Sequence, residues 1–580
     1  MKKRWISKSP DEKLQTHLSS ALKVSPLLAR LLINRGVTDL DSAHGFLQPK
    51  LSGLADPMLI PEMEKAALRL ATAVRKKEKI VIYGDYDVDG VTGTALLFQC
   101  LRLLEADVHY YIPERIQEGY GLNIQALGNL AQEGAKVLVT VDCGITSILE
   151  ADEAREKGMD LIITDHHQPI KDLPKAYAVI NPKLPGSGFR ELAGVGVAFK
   201  LAWALGIAVG GKKLNKSASG GRVSTQYREF LTNAMGLVAL GTIADAVPLV
   251  GENRILAKYG LTTLRQSPHP GIKALLEMAN LEGLSISTNH VEFRLGPRLN
   301  APGRLEDARL SVELLTTQCP QRAAEIALQL EEKNKKRQGL QSQILQSARE
   351  MVEKRVNLDS VRVLVLAGEG WHPGVIGIVA SRLVDEFHRP ALIIALRGDL
   401  GYGSARSVPE FNLVEALHAT RERLLRFGGH ARAAGFRIKK EEVERFNDSI
   451  NRFAATVMRK ERLEPVLATD GELPFGQLSV PLVKELDYLR PHGEGNPEPI
   501  FTAGELRVAG EPARMGASGQ HLSLFLRQGD VSFRAVGFGM GTLLPKIEKA
   551  RDLSVAFRPK ISNWRGEAVE LEIEDVEVHL

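Results

Sequence analysis

The sequence predicts an α/β protein of several domains: two α/β domains joined by a long helix, followed by an all-β C-terminal domain of OB-fold type. Three observations carry this. Between residues 79 and 180, short apolar runs alternate with helical patterns, as in a mostly parallel, covered sheet. From about 320 to 356 one helical pattern runs unbroken, roughly 50 Å at 1.5 Å per residue. Beyond about 465, five short β-like runs dominate, with one helical insert at 544–550. The expected division is an N-terminal helical cap over 1–50, a first α/β domain over 51–319, the bridging helix over 320–357, a second α/β domain over 358–464 and the OB-fold-like domain over 465–580.

A chain of 580 residues has ample length for several cores. A formal net charge of +5 and a pI near 8.8 permit a polyanionic partner without demanding one. Cys100, Cys143 and Cys319 show no paired spacing, which argues against a disulfide framework or structural zinc and for a reducing, cytoplasmic setting. The basic start has no apolar segment behind it, so no signal peptide is expected. No run of about eighteen apolar residues suggests a membrane span.

The elements follow in order. Residues 11–50 carry short helical patterns. A helix over 62–77 ends in Arg75-Lys76-Lys77, which suits a helix C-terminus. The apolar run Lys79 to Gly84 then feeds Asp85, Asp87 and Asp89, and a helix runs from Val91 to Leu104. If the acidic segment stays extended, its three carboxylates point to one side. They repel and raise each other's pKa unless cations sit among them. An EF-hand loop also begins D-x-D-x-D-G, but its twelfth position is Leu96 here instead of Glu, and a strand precedes it. A solvated acidic turn is the bland reading, and the rest of the chain argues against it. Further strands are expected at 108–113, 136–142, 160–167 and 177–180, with a helix at 146–157.

Ligands of open α/β sheets bind at the carboxyl ends of strands. Three strands here end in Asp or His, and Gly241 to Pro248 offers one more acid. Asp87, Asp89, Asp142, His166 and Asp245 could therefore converge. Each alone has a dull reading as a cap or turn residue; their joint placement is the signal. Hard oxygen ligands with one or two imidazoles suit manganese or magnesium. So many carboxylates suggest two ions bridged by one Asp, an arrangement suited to in-line displacement at phosphorus. His166 and His167 should face opposite ways, so that one binds metal while the other meets substrate or donates a proton.

Tyr83-Gly84-Asp85-Tyr86-Asp87-Val88-Asp89-Gly90, Val141-Asp142-Cys143-Gly144, Asp165-His166-His167 and Ala244-Asp245 resemble, in order, the four motifs of the DHH phosphoesterase superfamily. Over essentially its whole length the chain is similar to the superfamily's bacterial 5′→3′ exonucleases for single-stranded DNA. The resemblance implies a DHH domain and a DHH-associated domain, and a hydrolase that releases mononucleotides in DNA repair and recombination. It implies two divalent ions, Mn2+ or Mg2+, with Asp142 as bridge, Asp87 on one ion, and Asp89, His166 and Asp245 on the other. Asp85 would act as a catalytic residue holding water or metal, and His167 would contact the scissile phosphate. The implied partner is single-stranded DNA, with a single-strand-binding protein and a repair helicase as further candidates; the expected state is a monomer in the cytoplasm. A DHH phosphodiesterase for short RNA or dinucleotides would not need the C-terminal domain. A non-catalytic DHH scaffold on single-stranded DNA could lose ligands, yet every motif acid and both histidines are present.

A loop over Gly210 to Gln226 is small, polar and basic. Phe293 to Arg304 reads as turn-rich with three arginines, and the resemblance turns Asn300 and Arg304 toward the substrate backbone. The middle of the long helix, Glu331 to Gln338, has no apolar stripe and reads as a solvent-crossing bridge. In the second α/β domain, strands at 361–367 and 391–396 precede glycine-rich turns at 401–407 and 427–435, where backbone N–H groups can approach phosphate. Ser404, Arg406, Gly428, Gly429 and His430 resemble the substrate-binding part of the DHH-associated domain. Arg406 and Ser404, with Arg304, fit a terminal phosphate by type. Arg115 and Tyr120, on the loop after the second strand, would grip a single strand. In the C-terminal domain Phe525, Phe533, Phe557, Trp564, Arg534, Arg558 and Lys560 are candidates for strand contact, about half of them as barrel filling.

Overall fold

Five parallel strands form the first sheet, in the order Val108–Tyr111, Ile80–Gly84, Val137–Val141, Asp160–Thr164, Ala178–Ile180. The two central strands are buried along their whole length, because helices cover both faces. Helices Ile124–Gln132 and Ile148–Glu156 pack on one face through Leu127, Leu138, Ala151 and Ile163. Helices Val88–Leu103, Gly194–Val209 and Thr225–Ala244 pack on one another, with Gly194–Val209 against the central strands. This computed structural model describes residues 3–9, 11–115, 118–210, 224–358, 360–458, 464–563 and 566–580. Trp564 and most of the loop read over Gly210 to Gln226 lie outside the described residues.

Two expectations in this domain are corrected. The acidic segment does not stay extended past Asp87, because a helix starts at Val88. Asp87 is its N-cap: Oδ1 accepts from the N–H groups of Asp89 (3.0 Å) and Gly90 (3.1 Å). The stretch 293–304 is helical instead of turn-rich: a π-helical turn at Val291–Leu295 runs into helix Gly296–Leu305. Pro297 sits in the first turn, where its missing N–H costs nothing.

The long helix spans Pro320–Arg355. Its polar middle is not a solvated span. It packs on Gly296–Leu305 and later on Pro373–Phe387, with Asn334 and Arg337 buried. Glu331 pairs with Arg298 at 2.8 Å, and Lys333 pairs with Glu306. Polar side chains fill a seam there, which removes the need for an apolar stripe.

The second sheet runs Leu424–His430, Ala433–Lys439, Leu400–Arg406, Ala391–Arg397, Leu364–Glu369, with only the last pair parallel. The glycine-rich stretches expected as turns are therefore largely strands. At Gly403 a Cβ would lie 2.2 Å from the Phe436 ring, so glycine serves packing there and not turning.

Contacts divide the chain into two units, Ala55–Val247 with Tyr259–Glu464, and Lys2–Leu54 with Pro248–Lys258 and Pro465–Leu580. In the second, five strands close a barrel in the order Phe501–Met515, His521–Gln528, Val531–Gly537, Ala568–His579, Asp552–Ser562. The helical insert Leu544–Ile547 lies between the third and fourth strands in sequence. Strand Arg4–Ser7 pairs in parallel with Val466–Thr469. Leu28, Leu31, Leu32 and Phe46 share one core with Phe475, Leu489 and Leu524. Arg254 donates to the carbonyls of Phe46, Tyr488, Leu489, Arg490 and Pro491 and lies 3.9 Å over the Phe46 ring. Among the described residues, no helix is long and apolar enough to cross a membrane.

Candidate metal centre

Strand ends and helix starts place the acids at the carboxyl edge of the first sheet. Asp85 directly follows strand Ile80–Gly84 and is buried. Asp89 lies in the first turn of the next helix, where its carboxylate accepts from Gly194 N (2.6 Å) and Val195 N (2.8 Å). Only glycine fits at 194, since a Cβ would stand 2.7 Å from that of Asp142. Asp142 follows strand Val137–Val141 with φ 65°, a left-handed conformation that non-glycine residues rarely adopt. Asp245 caps the C-terminus of Thr225–Ala244.

Asp165 orients the histidines. Its Oδ1 accepts from His166 N (2.7 Å), His167 N (3.0 Å) and His167 Nδ1 (2.7 Å), and its Oδ2 from Ile145 N (2.9 Å). Burial pulls the His167 pKa down, but the bond to Asp165 and its charge outweigh this and hold it at about 9. In the metal-free protein the bond to Asp165 thus favours the protonated ring of His167. Burial, reinforced by His167, pushes His166 down to about 3, so its ring is neutral.

The ligand atoms close on one another. His166 Nε2 lies 3.1 Å from Asp142 Oδ1, 3.5 Å from Asp245 Oδ2 and 3.7 Å from Asp89 Oδ2. Asp85, Asp87 and Asp142 bring ligand atoms within 4.8 Å of one another, as do Asp89, His166 and Asp245, and Asp142, His166 and His167; the two imidazoles lie side by side with ring centroids 4.6 Å apart, instead of facing opposite ways, because the chain has left the strand after Thr164. Burial first, and neighbouring carboxylates second, push Asp142 and Asp85 well above the usual carboxylate range. The same causes raise Asp245 to about 9 and Asp89 to about 7. Asp85 Oδ1, Asp142 Oδ1 and His166 Nε2 are buried without a hydrogen-bond partner. Acceptors aimed at one another in a buried site need cations between them. The oxygen-rich set, with one or two imidazoles, suits Mn2+ or Mg2+. Asp142 and His166 each stand in two of the trios.

A cationic group faces these acids. Burial, and then the charges of Arg115, Arg337 and Arg406, lower Arg304 to about 9, while Asp87 opposes the shift. Arg406 Nη1 donates to Ala405 O (2.8 Å) and lies 3.5 Å from Ser404 Oγ. Arg115 lies 4.9 Å over the Tyr86 ring. Among the described residues, none of Arg115, Arg304, Arg337 and Arg406 has a carboxylate partner. The fold thus brings Arg304, Arg406 and Ser404 into one region, with Arg115 near them. Tyr120 donates to Asp142 O and meets His167 Nδ1, both at 3.1 Å. Asn300 Oδ1 accepts from Val88 N (3.1 Å) and so holds the start of the motif helix. Gly428 pairs across to Gly435, which pairs to Ser404; His430 pairs to Ala433, which pairs to Arg406. These pairings put Gly428 and His430 on the face of Ser404 and Arg406. Gly429 has φ 144°, and a Cβ there would meet Ala433 O at 2.4 Å.

Sequence reasoning missed Asp165 as an orienting group, although the motif contains it. It also missed Asn181, whose Nδ2 donates to His167 O (2.9 Å), and Lys183, whose charge acts on His166 and Asp245. Both closely follow strand Ala178–Ile180, so the strand-end rule could have found them. Arg337 was hidden in the all-polar part of the long helix. In the barrel, Phe557 is buried and Phe533 packs on Phe475. Arg534, Arg558 and Lys560 are paired with glutamates. Phe525 is exposed, and near it Arg507 stands directly opposite Arg527, both exposed.

The DHH family N-terminal domain matches residues 79–242, the DHHA1 domain 360–456 and the RecJ OB domain 469–575. The chain is 38% identical over 569 residues to the single-stranded-DNA-specific exonuclease RecJ of Bacillus subtilis, covering 97% of this chain and 69% of that relative. It is 33% identical to the exonuclease RecJ of Escherichia coli, with 94% of each covered. The crystal structure of Thermus thermophilus RecJ in complex with Mn2+ has a TM-score of 0.82 at 32% identity, covering 99% of this chain and 79% of that one. The Mg2+ complex gives 0.77 at 30% identity, covering 99% and 78%.

Proposed function

We propose that this chain, which belongs to the RecJ family, is a metal-dependent exonuclease that hydrolyses single-stranded DNA from the 5′ end and releases mononucleotides. The observation that carries the reading is the meeting of Asp85, Asp87, Asp89, Asp142, His166 and Asp245, with unpartnered acceptors, beside an arginine group that has no carboxylate partner among the described residues. Asp142 would bridge two Mn2+ or Mg2+ ions, with Asp87 on one and Asp89, His166 and Asp245 on the other. Asp85 would hold a ligand or a water. Bound there, the ions supply Lewis acidity and a water acidic enough to attack near neutral pH.

The chain's own residues do the rest. His167, held cationic by Asp165, donates a charge-assisted hydrogen bond to the scissile phosphate. Arg304, Arg406 and Ser404 take the terminal phosphate, which carries more charge than an internal diester. That pocket sets the cleavage register and hence the direction. Gly428 and Gly429 leave room for the strand beside them, and His430 supplies a donor. Asn300 fixes the motif helix. Arg115 and Tyr120 narrow the entrance to one strand. Boundaries at 51–319 for the DHH domain, 320–357 for the long helix and 358–464 for the DHH-associated domain accord with this division of labour. A monomer in the cytoplasm, working in DNA repair and recombination with a single-strand-binding protein and a helicase, accords with a DNA-degrading role.

The test uses protein stripped of metal, with and without added Mn2+. Metal-dependent release of mononucleotides from 5′-phosphorylated single strands, and little from blunt duplex, is the expected result. Cleavage confined to dinucleotides, or binding of single strands with no cleavage, would overturn the reading.

A further inference from the structure

One face of the second sheet is covered over only part of its width. On that face Ala391, Ile393 and Ala395 share a core with Val375, Ile376 and Val379 of helix Pro373–Phe387. Strands Ala433–Lys439 and Leu424–His430 lie further out, beyond Leu400–Arg406, and their residues on the same side, Arg426, Gly428, His430, Gly435 and Arg437, are exposed.

The register sets these residues in rows. Arg406 pairs with Ala391 on one side and Ala433 on the other, and Ala433 with His430. In the next row Ile393, Ser404, Gly435 and Gly428 follow one another, and in the third Ala395, Tyr402, Arg437 and Arg426. Alternation along each strand puts all three rows on one face, about 6.8 Å from row to row. The third row holds two arginines directly opposite each other, and among the described residues neither has a carboxylate partner. Like charges so placed repel. Arg437 lies 5.2 Å over the Tyr402 ring, on the strand that carries Ser404 and Arg406. The middle row is a trough. A Cβ on Gly428 would meet nothing within 4 Å, and one on Gly435 would touch Gly403 O at an ordinary 3.9 Å. Packing does not demand these two glycines, as it does Gly403. Glycine inside a strand weakens it and marks a place where a ligand comes close to the backbone.

The first row is the inner end, since Arg406 acts on Arg304, which in turn feels Asp87. With the terminal phosphate on Arg304, Arg406 and Ser404, the strand continues from there across the metals. Anything that reaches the third row lies on the 5′ side of that phosphate, where a strand end can carry only further phosphates.

We infer that Arg426 and Arg437 form a second anion site, reached along the Gly428–Gly435 trough, that holds the outer phosphates of a 5′-triphosphorylated strand, so that such ends are cleaved directly. The inference rests on the exonuclease reading and its terminal-phosphate pocket. Two further phosphates bridge the step from the Ser404 row to the Arg437 row, and each guanidinium can donate two hydrogen bonds to phosphate oxygens. Water attacks the phosphorus that joins the first nucleotide to the second. Its bond to the 3′ oxygen of the first nucleotide breaks, and that oxygen takes up a proton. The first nucleotide leaves as a nucleoside triphosphate with a free 3′ hydroxyl, and the shortened strand carries an ordinary 5′ monophosphate. The anhydride bonds stay intact.

The test compares the parent enzyme with the double variant Arg426→Gln, Arg437→Gln, both at exposed positions. The substrates are one single-stranded sequence with a 5′ monophosphate or a 5′ triphosphate, in the presence of Mn2+. The parent should cleave both, and its first product from the triphosphorylated strand should be the nucleoside triphosphate. The variant should raise KM about tenfold on the triphosphorylated strand, through the loss of charge-assisted hydrogen bonds. Its KM on the monophosphorylated strand should be unaltered. An unaltered KM on the triphosphorylated strand would overturn the site. An equal rise on both strands would also overturn it and make the arginines general contacts to DNA. So would a parent that cuts the monophosphorylated strand but leaves the triphosphorylated one uncut, or releases diphosphate from it before the first nucleotide. A parent with no metal-dependent hydrolysis of either strand would overturn the exonuclease reading itself.

Discussion

Asp142 carries both strain and charge. Its φ of 65° costs about 1–3 kcal/mol for a non-glycine residue, and its buried carboxylate faces other carboxylates. Neither feature helps the metal-free protein fold, so both point to the bound state. Asp142→Ala should reduce hydrolysis to background while the metal-free protein keeps its melting temperature or gains a little; near-normal turnover would remove the bridging role. The pH dependence follows from the same residues. Burial and like charges raise Asp89 to about 7 and Asp245 to about 9. These values lie above the unfolded carboxylate range, so the metal-free folded state retains protons that the unfolded chain releases. That contribution to stability is fully present at acid pH and is lost as pH rises through about 7 to 9. Metal must displace the same protons. The gain in melting temperature on adding Mg2+ should therefore grow from pH 6 to pH 9. Melting curves with EDTA and with Mg2+ across that range check this, and a flat gain would show that the carboxyls are not pushed up.

Two glycines let one helix bring the arginines together. A Cβ on Gly374 would stand 1.9 Å from Arg304 O, and one on Gly377 would stand 2.9 Å from Ser404 Oγ and 3.3 Å from Arg406 Nη2. Helix Pro373–Phe387 thus lies against both halves of the candidate phosphate pocket. Arg406→Ala should erase most of the rate advantage of 5′-phosphorylated over 5′-hydroxyl single strands. Gly374→Val should do the same from outside the pocket by displacing Arg304, at a cost of up to about 10²-fold. Initial rates on both substrates check both variants; an advantage that survives Arg406→Ala would place the pocket elsewhere. The strand ends at Asp85, Asp142 and His166 were legible because an apolar run followed by an acid is a local signal. Asp89 was legible as a candidate ligand, but its place in a helix depended on the Asp87 cap. Gly403 looked like a turn because the Phe436 ring that demands it lies on another strand, far along the chain. Arg337 was illegible for the same reason: its neighbours come from tertiary packing, and a run of charges has no periodicity to betray a buried face.

The second unit is assembled from three separate stretches, and this decides how the barrel can be tested. Cutting the chain near 465 would follow the order of the sequence. It would also strip Leu28, Leu31, Leu32 and Phe46 of the core they share with the barrel. Arg254 would be deprived of four of its five carbonyl acceptors and be left as a poorly compensated guanidinium. Failure of such a truncation to bind DNA would therefore say nothing about which residues touch the strand. Substitution on the barrel surface avoids the problem. Arg507 stands directly opposite Arg527 on neighbouring strands, and Ala509 opposite Phe525 lies two residues along. Like charges directly opposite on a sheet are unfavourable, and among the described residues neither arginine has a carboxylate partner. A polyanion would relieve that repulsion, and Phe525 offers a ring for a base. Arg507→Gln with Arg527→Gln should weaken binding of a long single strand and flatten the slope of log affinity against log salt. Every phosphate that an arginine neutralises adds about 0.7 to the steepness of that slope, so removing the pair should reduce it by about 1.4. Anisotropy titrations in EDTA, with Asp142→Ala as the common background, measure binding without cleavage. An unchanged slope would show that this face of the barrel does not hold the strand.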